Sequence, residues 1–305
     1  MSVQRRHAGT ASPVSPSRPR ELQDGLNRWL YHPLAWRLAI SLSATPITPN
    51  AVSVAGAAIV VMAGLSYIGL SWPFGALLGL LLHMTWHVVD GADGDLARLT
   101  GRSSPRGELV DGICDYASHL VLYLLLGFQL QHFIGVLAWL PTIAAGGSRI
   151  VQANRYEAQR REYQWWAYGV PWLRHSRQDG AGTTPTGMVG GLSRAYLALA
   201  DATAPKERSL DTVLAEVGTD PASLSRARQI VRANAATLLP RSPLLGANYR
   251  TIGLGLSMLA GSPLWYFLYE AVILNIVLAW SWVRVPVAER AVATSIVQAF
   301  ASTRR

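Results

Sequence analysis

Six runs of apolar residues, each about as long as a bilayer-crossing helix, constrain this chain more than any other feature of its sequence. A helix needs roughly 20 residues to cross the hydrocarbon core of a membrane. Half of the 305 residues are hydrophobic and only 15% are charged, whereas soluble domains usually carry about 25% charged residues. We therefore predict an all-α membrane protein, not a soluble helical core, with six transmembrane helices over residues 51–70, 73–94, 113–131, 133–151, 246–261 and 264–283.

The arginines predict how these helices are oriented. They occur before the first run, between the second and third, between the fourth and fifth, and after the sixth, while the other three connections contain no Lys or Arg. Cytoplasmic loops carry the excess of basic residues, so both termini are expected in the cytoplasm. The net charge of +9 indicates attraction to an anionic membrane surface and not to nucleic acid. We expect the inner membrane of a bacterium.

The segments outside the runs divide the chain into four parts. Residues 1–20 are basic, rich in Ser and Pro, and predicted to be disordered. Residues 21–165 begin with an amphipathic, interfacial helix over 21–43 and continue through the first four spans. Residues 166–245 form a polar cytoplasmic insertion with helical patterns at about 188–203 and 221–238. Residues 246–305 hold the last two spans and a surface helix over about 284–302.

Four aspartates lie at the ends of the second and third runs, where charge is costly and usually functional. Helical spacing puts the first group on one face of the second span: Asp90, Asp93, Gly94, Ala97 and Arg98. The second group shares a face of the third span: Gly107, Asp111 and Asp115. The short connector from Thr100 to Pro105 makes these spans antiparallel neighbours. Asp95 points away from this face and is expected in solvent.

Turning the two faces inward brings four carboxylates and one guanidinium together. Clustered carboxylates repel one another unless cations neutralise them. Hard oxygen ligands suit Mg²⁺ or Mn²⁺, and Mg²⁺ normally shares its site with a substrate phosphate. Two such ions facing the cytosol would indicate phosphoryl transfer from a diphosphate. The alternative is that the acids only pair with Arg98, Arg102 and Arg106 in the connector.

The pattern Asp90-x2-Asp93-Gly94-x2-Ala97-Arg98-x8-Gly107-x3-Asp111-x3-Asp115 resembles the signature of the CDP-alcohol phosphotransferases, also called CDP-alcohol phosphatidyltransferases. The resemblance covers residues 21–165 and the last two spans, and it includes Thr48-Pro49-Asn50. The insertion is not covered. The resemblance implies six transmembrane helices with an N-terminal surface helix, a polar cavity open to the cytosol, and a homodimer.

The resemblance also implies a role for each matching residue. Asp90, Asp93, Asp111 and Asp115 resemble the ligands of two metal ions. Asp115 also resembles the catalytic residue that takes the proton from the acceptor hydroxyl. The positions that receive the CDP moiety are matched by Asp93, Gly94, Ala97, Arg98, Gly107 and Asn50.

Four further residues are candidates for binding the acceptor. His83 and His87 lie on the Asp90 face, deeper in the bilayer, where the alternative is packing between helices. In relatives that use phosphorylated alcohols, basic residues near the end of the fourth span hold the acceptor's phosphate. Arg155 matches that neighbourhood approximately and Arg149 less closely, and the alternative for both is anchoring by the positive-inside rule.

Two directions of transfer remain open. CDP-diacylglycerol would donate a phosphatidyl group to a soluble alcohol such as inositol phosphate or glycerol phosphate, releasing CMP. In the other direction, a soluble CDP-alcohol of the choline, ethanolamine or inositol type would donate to a lipid hydroxyl. We favour the first. A transporter of divalent cations or anions is the alternative from another class, but the sequence has neither an inverted repeat nor acids near several mid-membrane helix breaks.

Overall fold

The computed structural model describes residues 18–170, 191, 209–218, 220–240 and 242–301. Within these residues the chain forms helices and connecting loops, with no β-strand. The predicted all-α class is confirmed for this part of the chain. The α-helices are α1 His32–Ser43, α2 Pro49–Gly69, α3 Phe74–Leu99, α4 Pro105–Ile134, α5 Trp139–Tyr168, α6 Ser209–Val217, α7 Pro221–Ala233, α8 Ala235–Leu238, α9 Ala247–Leu259, α10 Leu264–Leu268 and α11 Leu274–Ala301.

Two of the membrane helices begin where the sequence provides a capping side chain. The Thr48 hydroxyl accepts a hydrogen bond from the Ala51 N–H, and Pro49 is the first residue of α2. Ser104 caps α4 in the same way, accepting from the Gly107 N–H at 3.1 Å. Both caps satisfy N–H groups that have no partner inside the helix. The predicted start of the first span at Thr48-Pro49 is confirmed.

Among the described residues, three helical stretches are long and apolar enough to cross a membrane: Pro49–Gly69, Arg106–Tyr168 and Leu264–Ala301. The second of these contains both α4 and α5, and therefore the predicted spans 113–131 and 133–151. The predicted span 73–94 corresponds to α3, whose last turns carry the aspartates. The predicted span 246–261 corresponds to α9, which has only 13 residues. Six spans therefore remain a prediction.

The N-terminal segment is helical, and its placement on the membrane surface stays a prediction. A 3₁₀ turn at Arg20–Leu22 and a π-helical turn at Asn27–Tyr31 precede α1. Ala35 and Ala39 are fully buried and pack with Ala92 and Leu96 of α3. Trp29, Leu30 and Leu34 face outward, and Trp29 is 74% exposed. The small side chains of Ala35 and Ala39, spaced i, i+4, let α1 approach α3 closely.

Helix α2 lies at the centre of the first four helices because it packs against both α3 and α4. The backbones of α3 and α4 approach each other little, but the two helices are neighbours through their side chains, as predicted. The ring of His119 in α4 lies 4.6 Å from that of Trp86 in α3, and the carboxylate-bearing ends of both helices meet beside α2.

Helices α4 and α5 form a hairpin through a short 3₁₀ turn at Gly135–Ala138. Gly135 has φ of +65°, a conformation that glycine adopts without steric cost. The rings of Phe128 and Trp139 meet edge to face, with centroids 5.0 Å apart. A side chain at Gly127 would lie 3.0 Å from Thr142, so this glycine keeps the two helices close.

The insertion shares a hydrophobic core with the ends of α5 and α11, which we call the insertion core. Its most buried members are Tyr163, Leu210, Val231 and Ile296. Glu289 of α11 accepts a hydrogen bond from the Leu210 N–H at 3.2 Å and so fixes the start of α6. The surface helix predicted over 284–302 forms the second half of α11, which continues without a break to Ala301 and buries one face in the insertion core.

The helical pattern predicted at 221–238 is confirmed as α7 and α8, which are separated by a break at Asn234. Helix α6 was not predicted. The pattern at 188–203 lies outside the described residues, except for residue 191, as do residues 1–17 of the predicted disordered segment. Residues 18–20 of that segment are described, and Arg18 forms an ion pair with Asp95 of α3.

We expect Ile296→Ala to lower the free energy of unfolding by about 2–5 kcal/mol, the usual effect of truncating a buried isoleucine. Ile296 is fully buried in the insertion core. Thermal unfolding of the purified protein in detergent measures the change. The matched control is Val297→Ala, because the neighbouring Val297 is 51% exposed and its truncation should change the unfolding temperature little. Equal effects of the two substitutions would contradict the described packing.

Candidate active site

Three of the four predicted aspartates come together between the ends of α3 and α4. Oxygen atoms of Asp90, Asp111 and Asp115 all lie within 4.8 Å of one another. Asp111 and Asp115 are one turn apart on α4, and Asp90 faces them from α3. All three are half-buried, so the cluster is open at one side. The sequence predicted this juxtaposition from helical spacing alone.

Asp93 lies next to this cluster and is held by a different partner. The Ser53 hydroxyl of α2 donates a hydrogen bond of 2.5 Å to the Asp93 carboxylate. Asp93 is buried, and its carboxyl group also lies beside that of Asp111. Ser53 was missed in the sequence. It lies one turn after Pro49 in α2, which packs between the two acidic helices.

The aspartate cluster fits divalent cations. It offers only carboxylate oxygens, the donors that Mg²⁺ and Mn²⁺ prefer. Gathering these acids in a partly buried site is unfavourable unless positive charge compensates them. Charge pairing with the connector arginines was the alternative, and of these only Arg98 has an ion pair in the described residues, with Asp95 and not with the cluster.

Small residues line the cluster on the side of the connector. The Asn50 amide oxygen lies 3.6 Å from the point where a side chain at Gly107 would begin, so Asn50 and Gly107 are neighbours. A side chain at Gly94 would begin 3.4 Å from Nη1 of Arg98, so the Arg98 guanidinium lies over Gly94. Ala97 is half-buried on the same face. Of the residues predicted to receive the nucleotide, Asn50 and Gly107 are therefore neighbours, and Gly94 and Ala97 lie on the α3 face that carries Asp90.

The burial of Asp95 differs from the sequence-based prediction. This residue was expected in solvent, but it is only 1% exposed and is paired with two arginines. Arg98 Nη2 lies 2.5 Å from Asp95 Oδ1, and Arg18 Nη2 lies 2.6 Å from the same oxygen. Asp95 is covered on the side of α3 that the N-terminal segment occupies, and helical spacing could not reveal this cover.

A cavity of about 700 Å³ opens from Asp115 and runs between α4 and α5. Its polar end is lined by Asp115, His119, Arg149 and Arg250. The rest of its lining is mainly apolar and reaches Trp139. Along α5 the lining extends from Glu157 back to Trp139, which is about 27 Å at 1.5 Å per residue. The cavity is therefore elongated, with charge at one end and an apolar wall beyond it.

Two arginines and one glutamate form a buried network at the polar end. Arg250 donates to Glu270, to the Gln152 side chain at 2.8 Å and to the Leu245 carbonyl. Glu270 is fully buried and also lies 4.0 Å from Arg149. The network carries one net positive charge, since two guanidinium groups share one carboxylate. Arg250 and Glu270 were missed because both lie in the last two spans, far from the aspartate motif in sequence.

Arg149 is the member of this network with donors left for a ligand. One of its N–H groups donates to the Tyr266 hydroxyl at 3.3 Å, and its guanidinium lies 5.9 Å from the centre of the Tyr123 ring. A guanidinium offers five N–H donors in a planar fork. Arg149 therefore combines a fixed position with a place in the cavity wall.

Arg155, which the sequence favoured over Arg149, lies elsewhere. Its side chain is fully buried, 3.9 Å from Glu162 of the same helix, and it does not line the cavity. The difference arises from helix phase, because residues 149 and 155 lie about 120° apart around an α-helix. The contacts of Arg155 favour a role in packing and its role at the acceptor remains a prediction.

His83 and His87 are buried behind the aspartates. His87 hydrogen-bonds to the Thr251 hydroxyl of α9 at 2.8 Å. His83 lies among the rings of Trp86, His87 and His119. Neither residue lines the cavity, whereas His119 does. These contacts favour the alternative of helix packing for both, and their role in acceptor binding remains a prediction.

The fold and the site define a helical membrane protein with an acidic centre that opens into a long, mainly apolar cavity. The family model of CDP-alcohol phosphatidyltransferase matches residues 46–186, from just before α2 to beyond the end of α5. The resemblance predicted from the aspartate motif is thus confirmed for residues 46–186, and the family it identifies is one of transferases of phospholipid synthesis.

No curated protein matches the chain significantly. The family consists of enzymes and not of transporters, so the transporter alternative has no support. Its members typically depend on divalent metal ions, which agrees with the donor set of the aspartate cluster.

Proposed function

We propose that this protein transfers a phosphatidyl group from CDP-diacylglycerol to a phosphorylated alcohol, such as inositol phosphate or glycerol phosphate, and releases CMP. The cavity carries this proposal, because it connects Asp115 both to a cationic surface and to a long apolar wall. A lipid donor requires the apolar wall, and an anionic, water-soluble acceptor requires the cationic surface.

Asp90, Asp93, Asp111 and Asp115 would hold the metal, with Mg²⁺ or Mn²⁺ as the ion and two ions as the expected number. When bound, such ions neutralise and polarise the oxygens of the donor's diphosphate. The contact between Asp90, Asp111 and Asp115 supports this assignment. Ser53 would keep the carboxylate of Asp93 in a fixed orientation through its hydrogen bond.

Asp115 is the proposed general base because it belongs both to the carboxylate cluster and to the cavity wall. It would accept the proton of the acceptor hydroxyl. The resulting alkoxide oxygen would form a bond to the phosphorus next to diacylglycerol. The bridging P–O bond of the diphosphate would break, and CMP would leave with the bridging oxygen. A base within hydrogen-bond reach of the attacking hydroxyl is the usual requirement for this step.

The nucleotide is proposed to lie against Asn50, Gly94, Ala97 and Gly107, with Asp93 and Arg98 at its edges. Asn50 and Gly107 are neighbours, Gly94 and Ala97 share the α3 face of Asp90, and three of the four have no side chain beyond Cβ. A flat base or a ribose could therefore come close to the backbone of α3 and α4.

The acceptor's phosphate is proposed to bind to Arg149, supported by Arg250 and Glu270. The network has one net positive charge beside Asp115 and is shielded from bulk water. Guanidinium groups recognise phosphate through paired hydrogen bonds. A neutral acceptor would have no use for an arginine at this position.

The proposed topology has six spans, with α3 and α9 added to the four helices of the apolar stretches. The aspartates and both termini would face the cytosol of a bacterium, and α1 would lie on the inner leaflet with Trp29, Leu30 and Leu34, all of which are exposed. A homodimer is the expected assembly. The insertion core would then lie in the cytoplasm, beyond the inner leaflet.

The test is CMP release by the purified protein with Mg²⁺. The substrates are CDP-diacylglycerol or a soluble CDP-alcohol, each offered with inositol phosphate, glycerol phosphate, unphosphorylated inositol or diacylglycerol. We expect turnover only with CDP-diacylglycerol and a phosphorylated alcohol, and loss of turnover with EDTA. CMP release from CDP-choline or CDP-ethanolamine with diacylglycerol would instead establish the opposite direction of transfer.

A further inference from the structure

Two arginines share a single buried carboxylate at the edge of the proposed nucleotide site. Arg18 and Arg98 both reach Oδ1 of Asp95, at 2.6 Å and 2.5 Å. Asp95 is 1% exposed, and a buried carboxylate without a counter-ion is strongly unfavourable. Since both guanidinium groups meet the same oxygen, either one can neutralise Asp95 when the other leaves.

The two arginines differ in their freedom to move. The Arg98 side chain is 54% exposed and its guanidinium lies over Gly94, on the surface proposed for the nucleotide. The Arg18 side chain is 25% exposed and belongs to an N-terminal segment, residues 18–24, that is held by several contacts. The Arg98 side chain can therefore turn towards a ligand, while the Arg18 side chain keeps its ion pair with Asp95.

Residues 18–24, which we call the N-terminal strap, are anchored to three helices. Arg18 binds Asp95 of α3. Glu21 accepts hydrogen bonds from Tyr163, at 3.0 Å, and from Tyr168 of α5. Burial opposes ionisation of Glu21, but these hydrogen bonds outweigh it and hold its pKa below the ordinary value. Asp24 accepts from the Asn248 amide of α9 at 2.7 Å.

An internal contact fixes the strap near Arg18. The Gln23 amide donates to the Arg18 carbonyl at 2.7 Å, and its oxygen lies 2.8 Å from Nδ1 of His32. Burial lowers the pKa of His32 to about 4, so the ring is neutral at pH 7 and its Nδ1–H can donate to Gln23. The strap therefore presents Arg18 to Asp95 in a preorganised position.

We propose that binding of the CDP moiety draws Arg98 from Asp95 to the phosphates of the nucleotide, while Arg18 remains as the counter-ion of Asp95. This inference rests on the proposed function. Asp95 and Arg18 are positioning residues in this scheme, because they control which partner Arg98 has. Without Arg18, the nucleotide would have to compete with Asp95 for the only guanidinium left.

The test is the affinity of the full-length protein for CDP with Mg²⁺, measured by titration calorimetry in detergent. Arg18→Ala is expected to weaken CDP binding about tenfold, the scale of one hydrogen bond to a charged group. Adding Asp95→Asn to this variant should restore the affinity to about that of the wild type, because Arg98 no longer has a competing carboxylate. Arg20→Ala, an exposed neighbour in the strap, is the matched control and should bind CDP normally.

The recovery in the double variant separates this scheme from a purely structural strap. A strap that only holds the helices together would leave the double variant as weak as Arg18→Ala, and this result would overturn the inference. Unchanged binding by Arg18→Ala would also overturn it. If Arg18→Ala does not fold, Asp95→Asn alone should bind CDP at least as tightly as the wild type, and weaker binding would count against the scheme. A wild-type protein that does not bind CDP would instead overturn the proposed function.

Discussion

Asp90→Asn and Asp111→Asn are each expected to abolish CMP release while the protein remains folded and inserted in the membrane. The amide preserves the size of the side chain but removes the anion that a divalent cation needs. A metal-ion site supplies several kcal/mol of transition-state stabilisation, so we expect a loss of about a thousandfold or more. CMP release with saturating substrates and Mg²⁺ measures the effect.

The same variants should unfold at a temperature no lower than that of the wild type in the absence of divalent cations. Asp90 and Asp111 contribute to a cluster whose charges repel one another, and each substitution removes one of those charges. The matched control is Asp220→Asn in the insertion, where the side chain caps α7 and asparagine caps equally well. Full turnover by either active-site variant would disprove the assignment of these aspartates as metal ligands.

The aspartate site could be predicted from the sequence because it depends on local geometry. Asp90 and Asp93 share a face through i, i+3 spacing, and Asp111 and Asp115 share one through i, i+4 spacing. A short connector then limits how far apart the two faces can be. The capping residues Thr48 and Ser104 are equally local, so the starts of α2 and α4 follow from the sequence.

The residues that the sequence did not reveal depend on contacts between distant parts of the chain. Arg250 and Glu270 join Arg149 only because α9 and the π-helical turn at Tyr269–Ile273 pack against α5. Asp95 is buried because a segment 77 residues away reaches it. Helical spacing describes one helix at a time, and it cannot show which neighbour covers a given face.

The packing of the insertion also depends on contacts between distant parts of the chain. The sequence predicted helical patterns in a polar insertion and a surface helix after the last span, but not how they pack against each other. Leu210, Val231 and Ile296 pack together in one core, so the insertion and α11 stabilise each other. Each helix alone shows only a narrow apolar face, and the core exists only when these faces meet.

Replacing Arg149 is expected to show whether the acceptor carries a phosphate. Arg149→Ala should weaken a phosphorylated acceptor by about 1.5–3 kcal/mol, the range for a hydrogen bond to a charged group, which is about ten- to a hundredfold in affinity. The affinity for the CDP donor should change little, because Arg149 of α5 lines the cavity and the small residues proposed to bind the nucleotide do not. Initial-rate measurements that vary one substrate at a time separate the two effects.

Arg155→Ala provides the contrast, because Arg155 is buried beside Glu162 and does not line the cavity. It should lower the unfolding temperature without raising the acceptor KM of the folded protein. Glu270→Gln should raise the acceptor KM less than Arg149→Ala does. It removes the carboxylate that Arg149 and Arg250 share, so both arginines lose their fixed positions. The donor KM should not change.

If Arg149→Ala leaves the acceptor KM unchanged, the acceptor carries no phosphate at this site. A neutral alcohol or a lipid hydroxyl then becomes the better interpretation, and His119, which lines the cavity one turn beyond Asp115, is the next residue to replace.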